Sequence, residues 1–235
     1  HYREALEALA GATLTIRTLD LGTDKSADLL DFESLRNHPN PALGLRAVRL
    51  CLREVELFKT QLRAILRASA IGPVRCMIPM LTSGREVRAV RSLLNEAMQE
   101  LEREGLPYEP GLPLGGMIEI PAAALSLETL AAELDFVSVG TNDLIQYALA
   151  ADRVDEHVAH LYEPEHPGMI HLLAHVFDTA RRLELPFAVC GEMAGDRRYT
   201  RLLLALGLRE FSMQPRALLE VKKVIRETDI GRARA

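Results

Sequence analysis

Residues 139–144, Val-Gly-Thr-Asn-Asp-Leu, set an amide and a carboxylate side by side directly after the apolar, β-prone run 136–139. Asp143 is thereby an acid delivered to the C-terminal end of a strand. A carboxylate is a hard oxygen ligand of the kind Mg2+ prefers, and magnesium usually takes only one or two protein carboxylates, completing its shell with substrate phosphate and water. Other strand ends are interrupted by polar residues in the same way: Arg17 after 13–16, Glu119 near the end of 115–120, Cys190 after 187–189, then Glu192. Glu119 and Asp143 are expected to be the two carboxylates of a Mg2+ site, with Mn2+ as the alternative ion. The ordinary alternative for either is a strand-end acid bonded to a neighbouring turn or arginine. No His or Cys pair around them has zinc spacing.

Arg17, Arg46 and Arg153 are the cations expected around a phosphate, because guanidinium offers planar, paired donors that match phosphate oxygens. Arg17 is the least ambiguous, since a fixed charge at the end of an apolar strand is costly without an anion to meet. Arg46 lies at a helix start, where a solvated surface arginine is the common alternative. Arg153 follows Ala151-Asp152, and a salt bridge to Asp152 or Asp155 is its alternative. Cys190 stands beside a glycine and an acid on the expected catalytic face, which suggests proton transfer, although a buried cysteine more often only packs. Cys51 and Cys76 are assigned to packing. His171 and His175, four apart, and His157 and His160, three apart, have metal-compatible spacing but no matching third ligand, so surface or capping roles are expected.

These residues need strands and helices to carry them. Strands are expected at 13–16, 74–81, 115–120, 136–139, 187–189 and 210–213, with a short seventh near 43–45. A turn at 22–25 and a loop to Pro41 precede one long amphipathic helix at 44–70. Ser83-Gly84-Arg85-Glu86 has capping-box spacing ahead of a helix ending near Gly105. Further helices are expected at 122–134, 144–151, 169–183, 200–206 and 215–226, with a polar loop at 152–167. Strands alternating with helices of crossover length argue for parallel βαβ units. The expected fold is an α/β (β/α)8 TIM-type barrel missing its first βα unit. A doubly wound open sheet is the rival, but no G-x-G-x-x-G follows the first strand.

With 235 residues, 48% apolar and 26% charged, and a net charge of -5, the chain has the composition of an ordinary globular domain. No Lys/Arg block points to nucleic acid, and no apolar run approaches the roughly 20 residues needed to span a bilayer. Three well-separated cysteines without C-x-x-C suggest free thiols in a reducing cytoplasm. The chain starts His1-Tyr2-Arg3 inside a helix-like pattern and without a signal-peptide layout, so an excised piece of a longer protein is expected.

Five motifs together carry a family signature: Ile16-Arg17-Thr18-Leu19-Asp20-Leu21-Gly22 with Asp24-Lys25, Asn40 to Arg49, Met117-Ile118-Glu119-Ile120-Pro121-Ala122-Ala123, Gly140 to Tyr147, and Cys190-Gly191-Glu192-Met193-Ala194-Gly195-Asp196. In order and spacing they closely resemble enzyme I of the phosphoenolpyruvate:sugar phosphotransferase system, in its C-terminal phosphoenolpyruvate-binding barrel. The resemblance implies a barrel that binds phosphoenolpyruvate with Mg2+. Glu119 and Asp143 would hold the metal, and Arg17 and Arg153 would grip the phosphoryl group. Asn142 would contact the substrate with Arg46 close by, and Cys190 would protonate the enolate to give pyruvate.

It also implies a homodimer, and a phospho-accepting histidine and a docking part for the small carrier protein HPr, both outside this sequence. His38, His157, His160 and His166 do not sit in the acceptor motif. The first barrel strand, which ends in another phosphate-binding arginine, has no counterpart before Leu14, so the piece alone is not expected to complete phosphotransfer. Thr23, where the family often has glycine, is a minor departure. Pyruvate phosphate dikinase and phosphoenolpyruvate synthase share the barrel and are the nearest alternatives, and a non-catalytic phosphoenolpyruvate-sensing or dimerisation module is another. The Met193-to-Asp196 ending favours enzyme I or its nitrogen-related paralogue.

Overall fold

Residues 1–20 and 40–234 are described by a computed structural model of the chain. The expected turn at 22–25, most of the loop to Pro41, and His38 lie outside the described residues. The chain divides into two compact units, His1–Gly116 and Met117–Ala235.

In the first unit, α1 (Tyr2–Leu9) precedes β1 (Leu14–Arg17), which runs parallel to β2 (Val74–Ile78) with Ile16 opposite Cys76. The first half of β3 (Leu114–Ile118) continues the parallel pairing, with Met77 opposite Gly115. Between β1 and β2 the expected single helix is two: α2 (Ala47–Arg53) and α3 (Val55–Ser69), broken at Glu54, whose ψ is 67°. The apolar step continues through Cys51, Val55, Phe58 and Leu62, so the hydrophobic period cannot reveal a one-residue break. Residues 43–45 are not a strand. Pro41 starts a 3-10 turn, Pro41–Leu43, as suits a residue with fixed φ and no N–H.

Buried Leu62, Ile65 and Leu66 of α3 and Val87, Val90, Leu94 and Leu101 of α4 (Gly84–Arg103) supply much of this unit's core. The capping role expected of Glu86 is formed: its Oε2 accepts from Thr82 N at 2.6 Å and Ser83 N at 3.0 Å.

In the second unit, β4 (Phe136–Gly140) lies parallel to β5 (Phe187–Cys190), with Gly140 opposite Cys190. The expected helix at 122–134 is split into α5 (Pro121–Leu125) and α6 (Leu127–Ala131). Ser126 stands at the break, its hydroxyl donating back to Ala122 O at 2.7 Å, a local bond that competes with helix continuation. Then come α7 (Thr141–Leu149), α8 (Pro167–Arg182), α9 (Glu192–Gly195), α10 (Arg197–Leu206), α11 (Leu218–Glu227) and α12 (Ile230–Arg234).

Helix α7 begins three residues earlier than expected, which places Asn142 and Asp143 in its first turn. The expected sixth strand at 210–213 is reduced to one bridge, Val189 to Phe211, because Pro215 soon turns the chain into a 3-10 helix. Five strands are thus formed among the described residues, β1 with β2, β2 with β3 and β4 with β5 pair in parallel, and the class is α/β. No helix among the described residues is long and apolar enough to cross a membrane.

Candidate active site

In the second unit the chemistry gathers where β4 becomes α7. Gly140 is the last residue of β4 and the N-cap of α7. A Cβ at Gly140 would lie 2.9 Å from Glu119 Oε2 and 3.0 Å from Met117 Sδ, so the buried Glu119 carboxylate rests directly on that Cα, an approach only glycine permits. Asp143, 9% exposed, follows in the first turn of the same helix. Both carboxylates therefore stand near the N-terminal end of α7, where the helix dipole carries partial positive charge.

The end of β5 is tied to that turn. Thr141 Oγ1 donates to Cys190 O at 3.0 Å, Glu192 N donates to Asn142 Oδ1 at 2.8 Å, and the Cys190 thiol donates to Val139 O at 3.5 Å. Between them Gly191 takes φ 96°, and a Cβ there would fall 2.6 Å from Thr141 Oγ1. A left-handed glycine and a side chain packed against its Cα thus bring the Cys190 segment up to Asn142.

Arg153 pairs with Glu192 at 3.7 Å, and its own amide donates to Gln146 Oε1 at 3.2 Å. The expected alternative partners act otherwise, Asp152 accepting from Val154 N and Asp155 from His157 N. Tyr162, in the segment read only as polar loop, donates to Asn142 O at 3.4 Å. Burial pushes its hydroxyl up to about 12, against the opposing pull of Arg153 and with help from Glu192 and Asp143. Tyr162 is a site neighbour that the sequence alone did not disclose; its only signal was an aromatic residue amid polar ones.

In the first unit Arg17 closes β1 and Arg46 is the N-cap residue of α2. They share one carboxylate. Asp20 accepts from Arg46 through both oxygens, at 3.0 Å from Nε and 2.9 Å from Nη2, and Arg17 Nη1 lies 3.6 Å from the same Asp20 Oδ2. With a side chain 14% exposed, Arg46 is no solvated surface arginine. The residue after it, Ala47, holds φ 50° and is fully buried, a left-handed backbone that fixes how the chain leaves Arg46.

Cys51 and Cys76 are buried, as expected of packing residues, and burial raises both thiols to about 12, with Asp20 adding to the effect at Cys51. His157, His160, His171 and His175 are exposed, while His166 accepts from Gly168 N at 3.1 Å and caps α8. Among the described residues no group of three or more His, Cys, Asp or Glu is arranged to hold a metal. Glu119 and Asp143 as a pair of hard oxygen donors fit the sparse protein shell of Mg2+, and do not fit zinc.

A family profile described as "PEP-utilising enzyme, PEP-binding domain" matches residues 1–230. A phosphoenolpyruvate-protein phosphotransferase of Cupriavidus necator is 52% identical over 226 residues, covering 95% of this chain and 38% of that protein. One from Geobacillus stearothermophilus is 45% identical over 230 residues, covering 96% and 39%. The chain thus spans less than half the length of these relatives. Among solved structures, a citrate lyase from Burkholderia xenovorans superposes with a TM-score of 0.58 at 16% identity, over 96% of this chain and 74% of that one. A pyruvate kinase from Cryptosporidium parvum gives 0.50 at 12% identity, over 70% and 34%. At such identities the structural likeness speaks for the fold alone. Matched from its first residue to residue 230 and sharing half its sequence with such a relative, this chain belongs to the PEP-utilising enzymes, within their PEP-binding domain.

Proposed function

We propose that the chain is the phosphoenolpyruvate-binding part of a phosphoenolpyruvate-protein phosphotransferase, passing the phosphoryl group to a histidine on another domain and releasing pyruvate. The observation that carries the reading is the meeting of Glu119, Asn142, Asp143 and Cys190 around the first turn of α7, in a member of this family. Glu119 and Asp143 would hold Mg2+, or Mn2+ in its place. When bound, the ion supplies positive charge against the phosphoryl and enolate oxygens.

Arg17 and Arg153 take the phosphoryl oxygens, with Arg46 beside Arg17 across Asp20. Fixed cations suit a loose phosphoryl transition state, whose charge lies on the equatorial oxygens. Asn142, its Oδ1 occupied by the Glu192 amide, presents the NH2 end of the same group to the substrate. When the bond between phosphorus and the enol oxygen breaks, its electron pair stays on that oxygen. The Cys190 thiol then gives its proton to the methylene carbon, yielding pyruvate and a thiolate that recovers a proton from water. The thiol lies 3.5 Å from Val139 O, a contact that orients its proton within the site, and a general acid must hold such a proton.

The fold that best accommodates these roles is a (β/α)8 TIM-type barrel without its first βα unit. Parallel pairing within each unit, helices following the strands, and polar residues at strand C-termini support it. An HPr-type carrier as phosphoryl acceptor through the remaining domains, a homodimeric state and a cytoplasmic location complete the reading. The test is isothermal titration of phosphoenolpyruvate into the full-length gene product with Mg2+, repeated with Asp143→Ala. Metal-dependent binding that the variant loses is expected; binding that survives without metal, or equally in the variant, would dismiss the carboxylate assignment.

A further inference from the structure

We infer that Asp20 is a positioning residue that sets the directions of the Arg17 and Arg46 guanidinium groups, and through them the affinity for the phosphoryl group. The inference rests on the phosphoenolpyruvate reading above. Asp20 presents a side chain only 4% exposed, clamped in two-oxygen fashion by Arg46 and approached by Arg17 on one of those oxygens.

The backbone leading to it is held from three sides. Thr18 N donates to Met77 O at 2.9 Å, Leu19 N to Gln61 Oε1 at 2.8 Å, and the Cys51 thiol to Leu19 O at 3.7 Å. Asp20 is therefore the fixed point, and the arginines are arranged about it. Their grips differ. Arg46, mostly buried and bonded to Asp20 through two nitrogens, is held firmly, whereas Arg17, 47% exposed, meets Asp20 only at 3.6 Å and keeps more freedom to turn toward a ligand.

The charge count points the same way. One carboxylate between two guanidinium groups offsets the repulsion that would push them apart. A carboxylate that merely stood in for the ligand would have to leave when phosphate arrives. A buried group on a pinned backbone is badly placed to do so.

The experiment compares phosphoenolpyruvate and pyruvate, the same acid without its phosphoryl group, as ligands of the full-length gene product in the presence of Mg2+. In Asp20→Asn the amide cannot accept both Arg46 bonds, and the dissociation constant for phosphoenolpyruvate is expected to rise about tenfold or more while that for pyruvate moves by less than about twofold. Arg46→Lys, which lacks the flat fork but keeps the charge, should show the same selective loss, and it carries the test if Asp20→Asn does not fold. Unchanged or tighter phosphoenolpyruvate binding would overturn the inference, as would equal losses for both ligands, the mark of general damage. Failure of the unaltered protein to bind phosphoenolpyruvate would instead remove the functional reading itself.

Discussion

Cys190 differs from the other two cysteines in being only half-buried, and its thiol already faces a hydrogen-bond acceptor in Val139 O. Alkylation needs the thiolate and access to it, and Cys51 and Cys76, raised to about 12 by burial, offer neither near pH 8. Limited iodoacetamide followed by peptide mass spectrometry should therefore mark Cys190 first, and phosphoenolpyruvate with Mg2+ should protect it. Comparable labelling of Cys51 or Cys76 in the folded protein would contradict the burial argument. At this scale the sequence was informative where chemistry is written locally. The Gly140-to-Asp143 run, the acid at 119 and the thiol at 190 are recognisable from their own neighbours. Asp20 and Tyr162 were legible only as residue types, because their meaning lies in Arg46, 26 positions away, and in Asn142, 20 positions back. No local pattern encodes such pairs.

Helix α4 shows what one acid does for an element. Glu86 Oε2 accepts from Thr82 N, Thr82 Oγ1 and Ser83 N, so donors before and at the start of a 20-residue helix converge on one carboxylate. Glu86→Ala should cost about 1–2 kcal/mol and lower the thermal midpoint by about 2–8 °C, measured by circular dichroism; an unchanged midpoint would show that water replaces the cap without loss. The capping box was readable from four residues. The breaks at Glu54 and Ser126 were not, since each interrupts the backbone without interrupting the apolar period. The sixth strand was overread for the opposite reason. Its residues suit a strand, but a proline closes the run before a ladder can form.

For the molecule as a whole, the buried ionisable groups set a pH limit. Cys51 and Cys76 in the first unit have an ordinary value of 9.0, and Tyr162 in the second has 10.0, yet burial pushes all three up to about 12 in the fold. Between those values the unfolded chain gives up its protons before the folded one does. The folded state then binds more protons, and stability falls as pH rises from about 9 toward about 12. Urea midpoints measured across that range should decline, and less steeply in a variant combining Cys76→Val and Tyr162→Phe; parallel declines would assign the effect to other groups. The α/β class could be read from alternating elements alone, whereas the exact number of strands could not, because it depended on one proline and one 3-10 turn. Ala47 bears on the same balance from another side. A left-handed alanine costs about 1–2 kcal/mol that a glycine would escape, and this one directly follows Arg46. The first unit is thus held slightly below the stability that a glycine at this joint would allow. Glycine adopts the same backbone without that cost, so Ala47→Gly should raise the thermal midpoint of the protein while leaving the path of the chain past Arg46 as it is.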